Sequence, residues 1–278
     1  MTLAPDTFAY VADLVRRRSA LNLQSGKEYL VESRLLPLAR AEGRDVDAYV
    51  RALRAAPHPT TLETVVEALT TNETSWFRDS QPFKALVDHV VPAVTSASAH
   101  LPLAARPPLR IWSAACSSGQ EPYSIAMALA DAVPLTQLRI IATDLSQRMV
   151  ERGRAGRYSQ LEVNRGLPAP MLVKHFSRAG AEWEVAAGLR NAVRFERHNL
   201  LDAPPVGGPF DVVFMRNVLI YFDLAAKREA LARVRRVLKP GGYLLLGAAE
   251  TTIGVDEAWD RVPVGGGSIY RLTPGRAA

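Results

Sequence analysis

The residues best suited to chemistry lie at the ends of two predicted strands. The first of these strands, Leu109–Ala114, leads into a turn over 115–121 that contains one glycine, Gly119. Pro122 is well placed to open the helix that follows. A doubly wound α/β fold binds its cofactor at such a turn. A pyrophosphate-binding fingerprint needs three glycines so that backbone amides can approach the phosphates. A phosphate-free nucleoside therefore suits this turn better.

Asp144 follows the second predicted strand, Leu138–Thr143. From that position a carboxylate can accept hydrogen bonds from ribose hydroxyls. The alternative is that Asp144 only caps the helix predicted from Leu145 onward. The unusual turn favours the ribose interpretation, because S-adenosylmethionine carries a ribose and no phosphate.

Cys116 is the only cysteine of the chain and lies in the same turn. We interpret it as a small residue that fits a tight turn, since the sequence shows no neighbouring base that would make it a nucleophile. One cysteine also excludes an internal disulfide, and the five histidines show no metal-ligand spacing. The sequence therefore predicts a site that uses no metal.

The elements that must position these residues alternate along the second part of the chain. Apolar runs and helical patterns follow one another from Leu109 onward, which is typical of a parallel, doubly wound α/β sheet. The interval 156–191 breaks this alternation and predicts a short inserted β-subdomain, with a small antiparallel hairpin near Trp183. The predicted strands are 109–114, 138–143, 193–195, 210–215 and 243–247, and the predicted helices are 122–133, 145–154 and 224–238, the last stopped by Pro240-Gly241-Gly242.

The first part of the chain predicts only helices. Apolar residues recur at helical spacing from Phe8 to Val15, and no strand pattern is present. Residues 1–90 are therefore predicted to form a small all-α domain. The interval 91–108 is rich in proline, alanine and serine and is predicted to be a linker, followed by a second domain over 109–278.

Composition narrows the classes of partner without choosing among them. A formal net charge of +6 and a pI near 9.7 predict an acidic partner, which could be nucleic acid, an anionic membrane surface or an acidic protein. No signal-peptide pattern is present. The longest uncharged run, 89–105, contains prolines and serines and cannot be read as a membrane span. We therefore predict a cytoplasmic location without membrane insertion.

Several blocks of sequence resemble the chemotaxis receptor methyltransferase family (CheR). The most specific are 70–79, which reads TTNETSWFRD, and 216–222, which reads RNVLIYF. The blocks at 113–115, 121–124, 142–144, 199–201 and 238–242 also match in order. The resemblance runs from Leu21 to Tyr270. It implies a Rossmann-like methyltransferase sheet preceded by an all-α domain.

The resemblance also implies roles for individual residues. It places Arg78 and Tyr221 nearest the reacting methyl group, as the catalytic pair. Without it, Arg78 would be read as a solvated surface charge, Tyr221 as core packing, and Asn72 and Thr74 as turn or capping residues. The implied contacts to S-adenosylmethionine are Asn72, Thr74, Arg78, Glu121, Asp144, Asn199, Leu200, Arg216 and Asn217.

The activity implied by the resemblance is methyl transfer from S-adenosylmethionine to glutamate carboxylates of chemoreceptors, with S-adenosylhomocysteine as the second product. Acidic receptor helices would dock on a basic N-terminal helical surface that includes Lys27, Arg34, Arg40 and the cluster Arg16–Arg18. The interval 176–195 is short compared with the insert by which some family members capture a receptor tail peptide, and this makes tail-peptide binding doubtful.

Two other functions compete with this interpretation. A nucleic-acid methyltransferase would suit the basic charge, but enzymes that methylate base amino groups usually resemble one another in an Asn- or Asp-Pro-Pro-aromatic block, where this chain has Arg216-Asn217-Val218-Leu219. We therefore expect no nucleic-acid partner. A non-catalytic scaffold is the second alternative, and an argument against it is the retention of Asn72, Thr74, Arg78, Asp144 and Tyr221.

Overall fold

The computed structural model describes residues 3–273. Residues 1, 2 and 274–278, at the ends of the two predicted domains, lie outside this range. The chain forms two compact units. The first contains the residues up to Thr71 together with Tyr221–Ala226, and the second contains Asn72–Ile220 and the chain from Lys227 onward.

The first unit is helical, which confirms the predicted all-α domain. Its interior is formed by apolar residues that include Val11, Val31 and Leu35, each fully buried. The segment Tyr221–Ala226 joins it through an antiparallel bridge between Leu21 and Phe222. The helices are α1 (Pro5–Ser19), α2 (Glu28–Ala41), α3 (Val46–Ala55) and α4 (Pro59–Leu69).

The predicted boundary at residue 90 and the predicted linker over 91–108 are corrected by the structure. Helix α5 (Gln81–Ala85), a π-helical turn (Leu86–Val90) and helix α6 (Val91–Thr95) run on directly from one another, and they belong to the second unit. Leu86 and Val90 are fully buried in its core. Pro82 lies in the first turn of this helical run, where the missing N–H leaves no helical hydrogen bond unmade, and Pro92 follows the π-helical turn without breaking the run. Proline content therefore did not indicate a linker here.

The second unit is built on a seven-stranded sheet, which confirms the predicted doubly wound α/β architecture. Five parallel strands form most of it: β1 (Leu109–Ala114), β2 (Leu138–Asp144), β6 (Val193–Arg197), β7 (Phe210–Met215) and β8 (Leu238–Leu245). The hairpin of β9 (Trp259–Val264) and β10 (Gly267–Leu272), which sequence reasoning did not predict, adds the antiparallel edge. The strand order is β6-β2-β1-β7-β8-β10-β9.

Helices and the predicted insertion complete the unit. The insertion holds a three-stranded antiparallel sheet of order β3-β5-β4, which confirms the predicted β-subdomain: its strands are β3 (Arg157–Tyr158), β4 (Phe176–Ala179) and β5 (Glu182–Val185). The remaining helices are α7 (Gln120–Leu129), α8 (Gln147–Ala155), α9 (Gln160–Val163), α10 (Ala169–His175), α11 (Ala187–Ala192) and α12 (Leu224–Val237).

Helix α12 ends at Val237, one residue before the predicted end, but Pro240, Gly241 and Gly242 lie within strand β8 and not ahead of a strand predicted to begin at Tyr243. Strand β8 begins at Leu238, immediately after the helix. Phe210 pairs with Leu238 and Val212 with Tyr243, so the register shifts across residues 239–242. An irregularity of this kind is where a strand tolerates proline. Within residues 3–273 no helix is long and apolar enough to cross a membrane.

Candidate active site

The turn between β1 and α7 is held by backbone hydrogen bonds, one of them to β2. The amide of Cys116 donates to the Thr143 carbonyl at 2.9 Å, and the amide of Gly119 donates to the Cys116 carbonyl at 3.1 Å. Gly119 has a φ of 97°. A Cβ at this glycine would lie 2.9 Å from the hydroxyl of Tyr158 and 3.0 Å from the ring of Phe195. Glycine is therefore required here for conformation and for space.

Asp144 fixes the same turn to the end of β2. Its Oδ2 accepts from the amide of Ser117 at 2.7 Å, and its Oδ1 accepts from the amide of Ser146 at 2.9 Å. The N-cap of α8 is Ser146, whose hydroxyl accepts from the amide of Met149. The capping interpretation of Asp144 is therefore wrong in its simple form. Asp144 joins two strand-end loops instead.

These contacts fit a phosphate-free nucleoside better than a dinucleotide. The amides of Cys116, Ser117 and Gly119 are bonded within the protein, so they cannot surround a pyrophosphate. An ionised carboxylate offers about four acceptor positions. Asp144 also ends β2, the position from which a carboxylate can accept from ribose hydroxyls in a doubly wound fold.

Arg216, just beyond the end of β7, joins two parts of the candidate site. Its Nη1 donates to Glu121 Oε2 at 3.1 Å, at the start of α7. Its Nη2 donates to Asp79 Oδ2 at 2.9 Å and to the carbonyl oxygen of Arg78 at 2.7 Å. The side chain is only 1% exposed. A buried guanidinium thus fixes the 72–79 segment against the turn after β1.

Glu121 is the second buried charge of this cluster. Its Oε1 accepts from the hydroxyl of Ser113 at 2.8 Å. Burial raises the pKa of Glu121 above its ordinary value, and the opposing effects are the charge of Arg216 and the Ser113 hydrogen bond. Burial of a carboxylate is compensated only by pairing of this kind. Glu121 and Arg216 therefore depend on each other.

The segment 72–79 lies across the turn in an uncommon backbone conformation. Asn72 accepts from the hydroxyl of Ser117 at 2.7 Å through its carbonyl oxygen. The φ values of Phe77 and Asp79 are 47° and 61°, in the left-handed region that non-glycine residues seldom adopt. Surrounding contacts must hold such a conformation, and residues at functional sites often show it.

Trp76 anchors this segment in the protein core. Its ring is 1% exposed and packs edge-on against Tyr158 and Phe176, at centroid distances of 4.8 and 5.3 Å. Both partners belong to the inserted β-subdomain. The backbone of Trp76 also approaches Gly166 so closely that a Cβ there would lie 2.3 Å from the Trp76 carbonyl oxygen. The insertion thus supports the segment that carries Arg78.

Arg78 and Thr74 are both half-buried in this segment. Nη1 of Arg78 lies 3.4 Å from the carbonyl oxygen of Glu73, at the long limit of a hydrogen bond. The backbone of Arg78 is thus fixed by Arg216, as described above, whereas its guanidinium is held only by a long hydrogen bond among the described residues.

Asn217 begins a loop that is organised by a carboxylate. Glu250 accepts from the backbone amides of Asn217, Val218, Ile220 and Gly247 at 2.7, 2.9, 3.3 and 2.7 Å. Glu250 is 9% exposed. Asn217 itself has a φ of 59°. One buried side chain therefore determines the path of residues 217–220.

Asn199 and Leu200 lie after β6, next to Asp144. The amide of His198 donates to the Asp144 carbonyl at 2.9 Å, which fixes the start of this loop beside β2. The side chain of Asn199 accepts from the amide of Leu201 at 3.0 Å. Asn199 and Leu200 are half-buried. The loop is thus held at the same sheet edge as the turn after β1.

Tyr221 is grouped with the helical unit and not with the other predicted site residues. It ends a short 3-10 helix, Leu219–Tyr221, and is half-buried. Its carbonyl oxygen accepts from the amide of Asn22 at 2.8 Å.

The hydrogen bonds described above for the second unit bring together the loops that carry the other predicted site residues. These residues are Asn72, Arg78, Glu121, Asp144, Asn199, Arg216 and Asn217.

Sequence reasoning missed Asp79, Ser117 and Glu250 as contributors to the site. Glu250 lies beyond the end of β8, whereas Asp144 is the last residue of β2, so the strand-end argument used for Asp144 did not select it. Ser117 contributes a backbone amide and a hydroxyl. Its role depends on where the chain folds back, and no local pattern indicates that.

Cys116 is poorly suited to act as a nucleophile. It is 1% exposed, and burial, with the charges of Asp144 and Glu121, raises its pKa well above the ordinary value of a thiol. A thiol held in its protonated form is a poor nucleophile. Across residues 3–273 no group of three or more His, Cys, Asp and Glu side chains is arranged to hold a metal ion.

Comparisons with known proteins agree with this architecture. Residues 6–70 match the family described as CheR methyltransferase, all-alpha domain, and residues 72–264 match CheR methyltransferase, SAM binding domain. These limits meet where the two structural units divide, at Thr71.

Several proteins are similar over most of their length. Chemotaxis protein methyltransferase Cher2 of Pseudomonas putida is 42% identical over 257 residues, covering 90% of this chain and 91% of that protein. Chemotaxis protein methyltransferase 1 of Pseudomonas aeruginosa is 40% identical and covers 98% of this chain and 99% of its own length. A chemotaxis protein methyltransferase of Vibrio parahaemolyticus is 37% identical, with 98% of each chain covered. The chain therefore belongs to the CheR family of chemotaxis methyltransferases, and its cofactor is S-adenosylmethionine.

Proposed function

We propose that the protein methylates glutamate side chains on the cytoplasmic domains of chemoreceptors, producing glutamate methyl esters and S-adenosylhomocysteine. The observation that carries this proposal is the hydrogen bond from Arg216 to the backbone carbonyl of Arg78. This bond holds the segment 72–79, which contains Arg78, against the turn after β1. A guanidinium presented there can receive a carboxylate.

The proposed methyl transfer needs no general acid or general base. Bound S-adenosylmethionine supplies an electrophilic methyl group on a sulfonium. A glutamate side chain has an ordinary pKa of about 4.3, so it is ionised and nucleophilic at neutral pH without a general base. The protein must remove water from the carboxylate and hold one oxygen in line with the methyl group. Positioning of this kind can lower a barrier by up to about 7–11 kcal/mol in favourable cases. We assign it to Arg78 and Tyr221.

The cofactor would be held by residues that contact it directly and by residues that position those contacts. Asp144 would accept from the ribose, and the loop with Asn199 and Leu200 would lie beside it. Arg216 would act mainly through the positions of Arg78 and Glu121, since its Nη atoms donate to protein acceptors. The proposed contacts are Asn72, Thr74, Arg78, Glu121, Asp144, Asn199, Leu200, Arg216 and Asn217.

For the partner, we propose acidic receptor helices that dock on the basic surface of the helical unit. The structure changes which residues are suitable. Arg34 donates through Nη1 to the carbonyl oxygens of Ala68 and Thr70, so it stabilises the end of α4. Arg16 pairs with Asp223 at 2.8 Å. Lys27 and Arg40, one at each end of α2, are the better candidates. Binding of a receptor tail peptide stays doubtful in this proposal.

Arg17 is paired as well, with Asp13 at 2.6 Å. The pairs made by Arg16 and Arg17 are exposed on at least one side, so each contributes little to stability. Either arginine could exchange its partner for a receptor carboxylate at small cost. We also propose a cytoplasmic location, because the proposed acceptors are the cytoplasmic domains of chemoreceptors.

The decisive experiment combines the purified protein, S-adenosylmethionine labelled in the methyl group, and receptor cytoplasmic fragments from the same host. We expect label on the fragment that is released as methanol by mild base, because esters are base-labile. Fragments with the target glutamates replaced by alanine are the control. Label that resists base, or label transferred to RNA or DNA in place of the fragment, would contradict the proposal.

A further inference from the structure

A cavity of about 580 Å³ lies within the second unit, away from the turn after β1. It is bounded by the start of α5, the residues that follow β8, and the hairpin of β9 and β10. None of Glu121, Asp144, Asn199 and Leu200 lines it. The cavity is therefore separate from the residues assigned to the nucleoside.

The cavity nevertheless adjoins the catalytic part of the site. Asp79, Gly247 and Glu250 line it, and Asp79 follows Arg78 directly in the chain. Asp79 binds Arg216, and Glu250 fixes the loop that leads to Tyr221. A ligand in this cavity would thus lie beside the segments that we assign to the transfer step.

The lining combines an apolar floor with one exposed cation. Leu246 and Ile269 are buried beneath it, and Ile253 is 63% exposed at its edge. Arg261 is exposed and lines the cavity. Its Nε donates to the hydroxyl of Ser268 at 2.7 Å. Among the described residues, no acceptor binds the two terminal nitrogens of Arg261.

The two acidic residues of the lining are engaged by other partners and do not bind Arg261. Asp79 is paired with Arg216 at 2.9 Å, and Glu250 accepts from four backbone amides. The cavity therefore presents apolar surface with one exposed cation, Arg261, while its two carboxylates are engaged by Arg216 and by backbone amides. Its volume is in the range of small-ligand pockets, which is enough for a few side chains.

We propose that this cavity, which we call the hairpin pocket, binds the acceptor protein next to the glutamate that is methylated. The occupant is an amphipathic acidic segment that places an apolar side chain on the floor and a carboxylate at Arg261. This inference depends on the proposed function, because it assigns the receptor as the occupant. Its role is to select the acceptor and to orient the reacting glutamate.

Two substitutions test the charge and the volume of the hairpin pocket separately. Arg261→Gln removes the cation, and Ala249→Phe fills space from an exposed turn position. Arg271→Gln is the matched control: Arg271 lies on the adjacent strand of the same hairpin, but it does not line the pocket. Thermal unfolding of all variants checks that the fold is retained.

The measurements are the KM for receptor fragment, the Kd of the fragment for protein loaded with S-adenosylhomocysteine, and the Kd of S-adenosylhomocysteine itself. We expect Arg261→Gln to raise the first two by about fivefold, as loss of one partly exposed charge pair does. Ala249→Phe should raise them at least as much. The Kd of S-adenosylhomocysteine and all values for Arg271→Gln should stay within about twofold of the wild type.

The outcomes separate the two proposals. If the wild type methylates the fragment and neither substitution changes its KM or Kd, the hairpin pocket is not an acceptor site and the proposed function stands. A weaker Kd for S-adenosylhomocysteine in both variants would reassign the pocket to the cofactor. If the wild type itself fails to label any receptor fragment, both proposals are overturned.

Discussion

The guanidinium of Arg216 lies 2.9 Å from Asp79 Oδ2 and 3.1 Å from Glu121 Oε2, so one buried cation bridges two carboxylates that are distant in sequence. Removing one partner of a buried ion pair typically costs about 3–5 kcal/mol, because a charge is left without compensation. The stability of the second unit and the shape of the site therefore depend on the same side chain.

We expect Arg216→Met to lower the free energy of unfolding by about 3 kcal/mol and to abolish most methyl transfer. Adding Glu121→Gln to this variant should recover part of the stability but not the activity, since Arg78 remains unsupported. Chemical denaturation measures the first effect. Arg165→Met is the control, because the exposed Arg165–Glu73 pair joins the same segment and should contribute less than about 1 kcal/mol. Equal losses in the two variants would contradict this role of Arg216.

Glu250 offers a test of loop positioning. Its carboxylate accepts from the amides of Asn217, Val218, Ile220 and Gly247, and hydrogen bonds to a charged group are each worth about 1.5–3 kcal/mol. We expect Glu250→Gln to cost about 2 kcal/mol of stability and to lower kcat more than it raises the KM for S-adenosylmethionine. Glu182→Gln is the control: Glu182 is an exposed residue of β5, and its replacement should change neither the stability nor kcat. Wild-type kcat in Glu250→Gln would show that the loop holds its path without the carboxylate.

Arg78 and Tyr221 are expected to act on the transfer step rather than on folding. Arg78→Ala should lose at least about a hundredfold in kcat, an effect of about 2.7 kcal/mol on the barrier. The unfolding midpoint should change little, because within residues 3–273 the Arg78 side chain makes a single long hydrogen bond, to the Glu73 carbonyl. Arg78→Lys should recover little, since lysine lacks the planar fork. Tyr221→Phe isolates the hydroxyl. Near-normal turnover in Arg78→Ala would remove this arginine from the mechanism.

Receptor docking should depend on Lys27 and Arg40 more than on Arg34. The double variant Lys27→Glu/Arg40→Glu should raise the KM for receptor fragment severalfold and leave the Kd of S-adenosylhomocysteine unchanged. Arg34→Glu should instead lower the unfolding midpoint, because Arg34 binds the Thr70 and Ala68 carbonyls. Rising salt should weaken wild-type receptor binding through charge screening. Equal receptor KM values in the double variant and the wild type would place docking elsewhere.

We expect His175 to make the stability of the insertion dependent on pH. It is 7% exposed at the end of α10, and burial lowers its pKa below the ordinary value, with the charge of Lys174 acting in the same direction and the charge of Asp131 opposing it. Since the folded-state pKa is depressed, the stability is present above the unfolded value of about 6.5 and is lost as pH falls through the folded one.

We expect His175→Phe, which cannot titrate, to lose less stability than the wild type between pH 7 and pH 5. At pH 7 the variant should lie within about 1.5 kcal/mol of the wild type, because the ring is replaced by one of similar size. Denaturation curves at a series of pH values measure the difference. Parallel pH dependence in the two proteins would exclude His175 as its source.

Local features of the sequence were sufficient for much of the fold. The bounds of β1 and β7 were predicted to the residue, because apolar runs between turn signals indicate buried strands. The glycine-poor turn and Asp144 indicated a nucleoside site, and the blocks at 70–79 and 216–222 indicated the family. Each of these signals lies within a short stretch of chain.

Other features depend on which distant residues meet. The helices over 81–95 belong to the sheet unit because Leu86 and Val90 enter its core, whereas their prolines suggested a linker. The partners of Arg216, including an aspartate 137 positions away, cannot be read from its own surroundings. The partners of Arg34 could not be read from the sequence either. Arg34 was predicted to lie on the docking surface, and in the structure it donates to the Thr70 carbonyl at the end of α4. The sequence by itself determined the strands, the turn and the cofactor class, because propensity and periodicity are local. Only the tertiary structure decided which charges are paired and which remain exposed, because that depends on long-range packing.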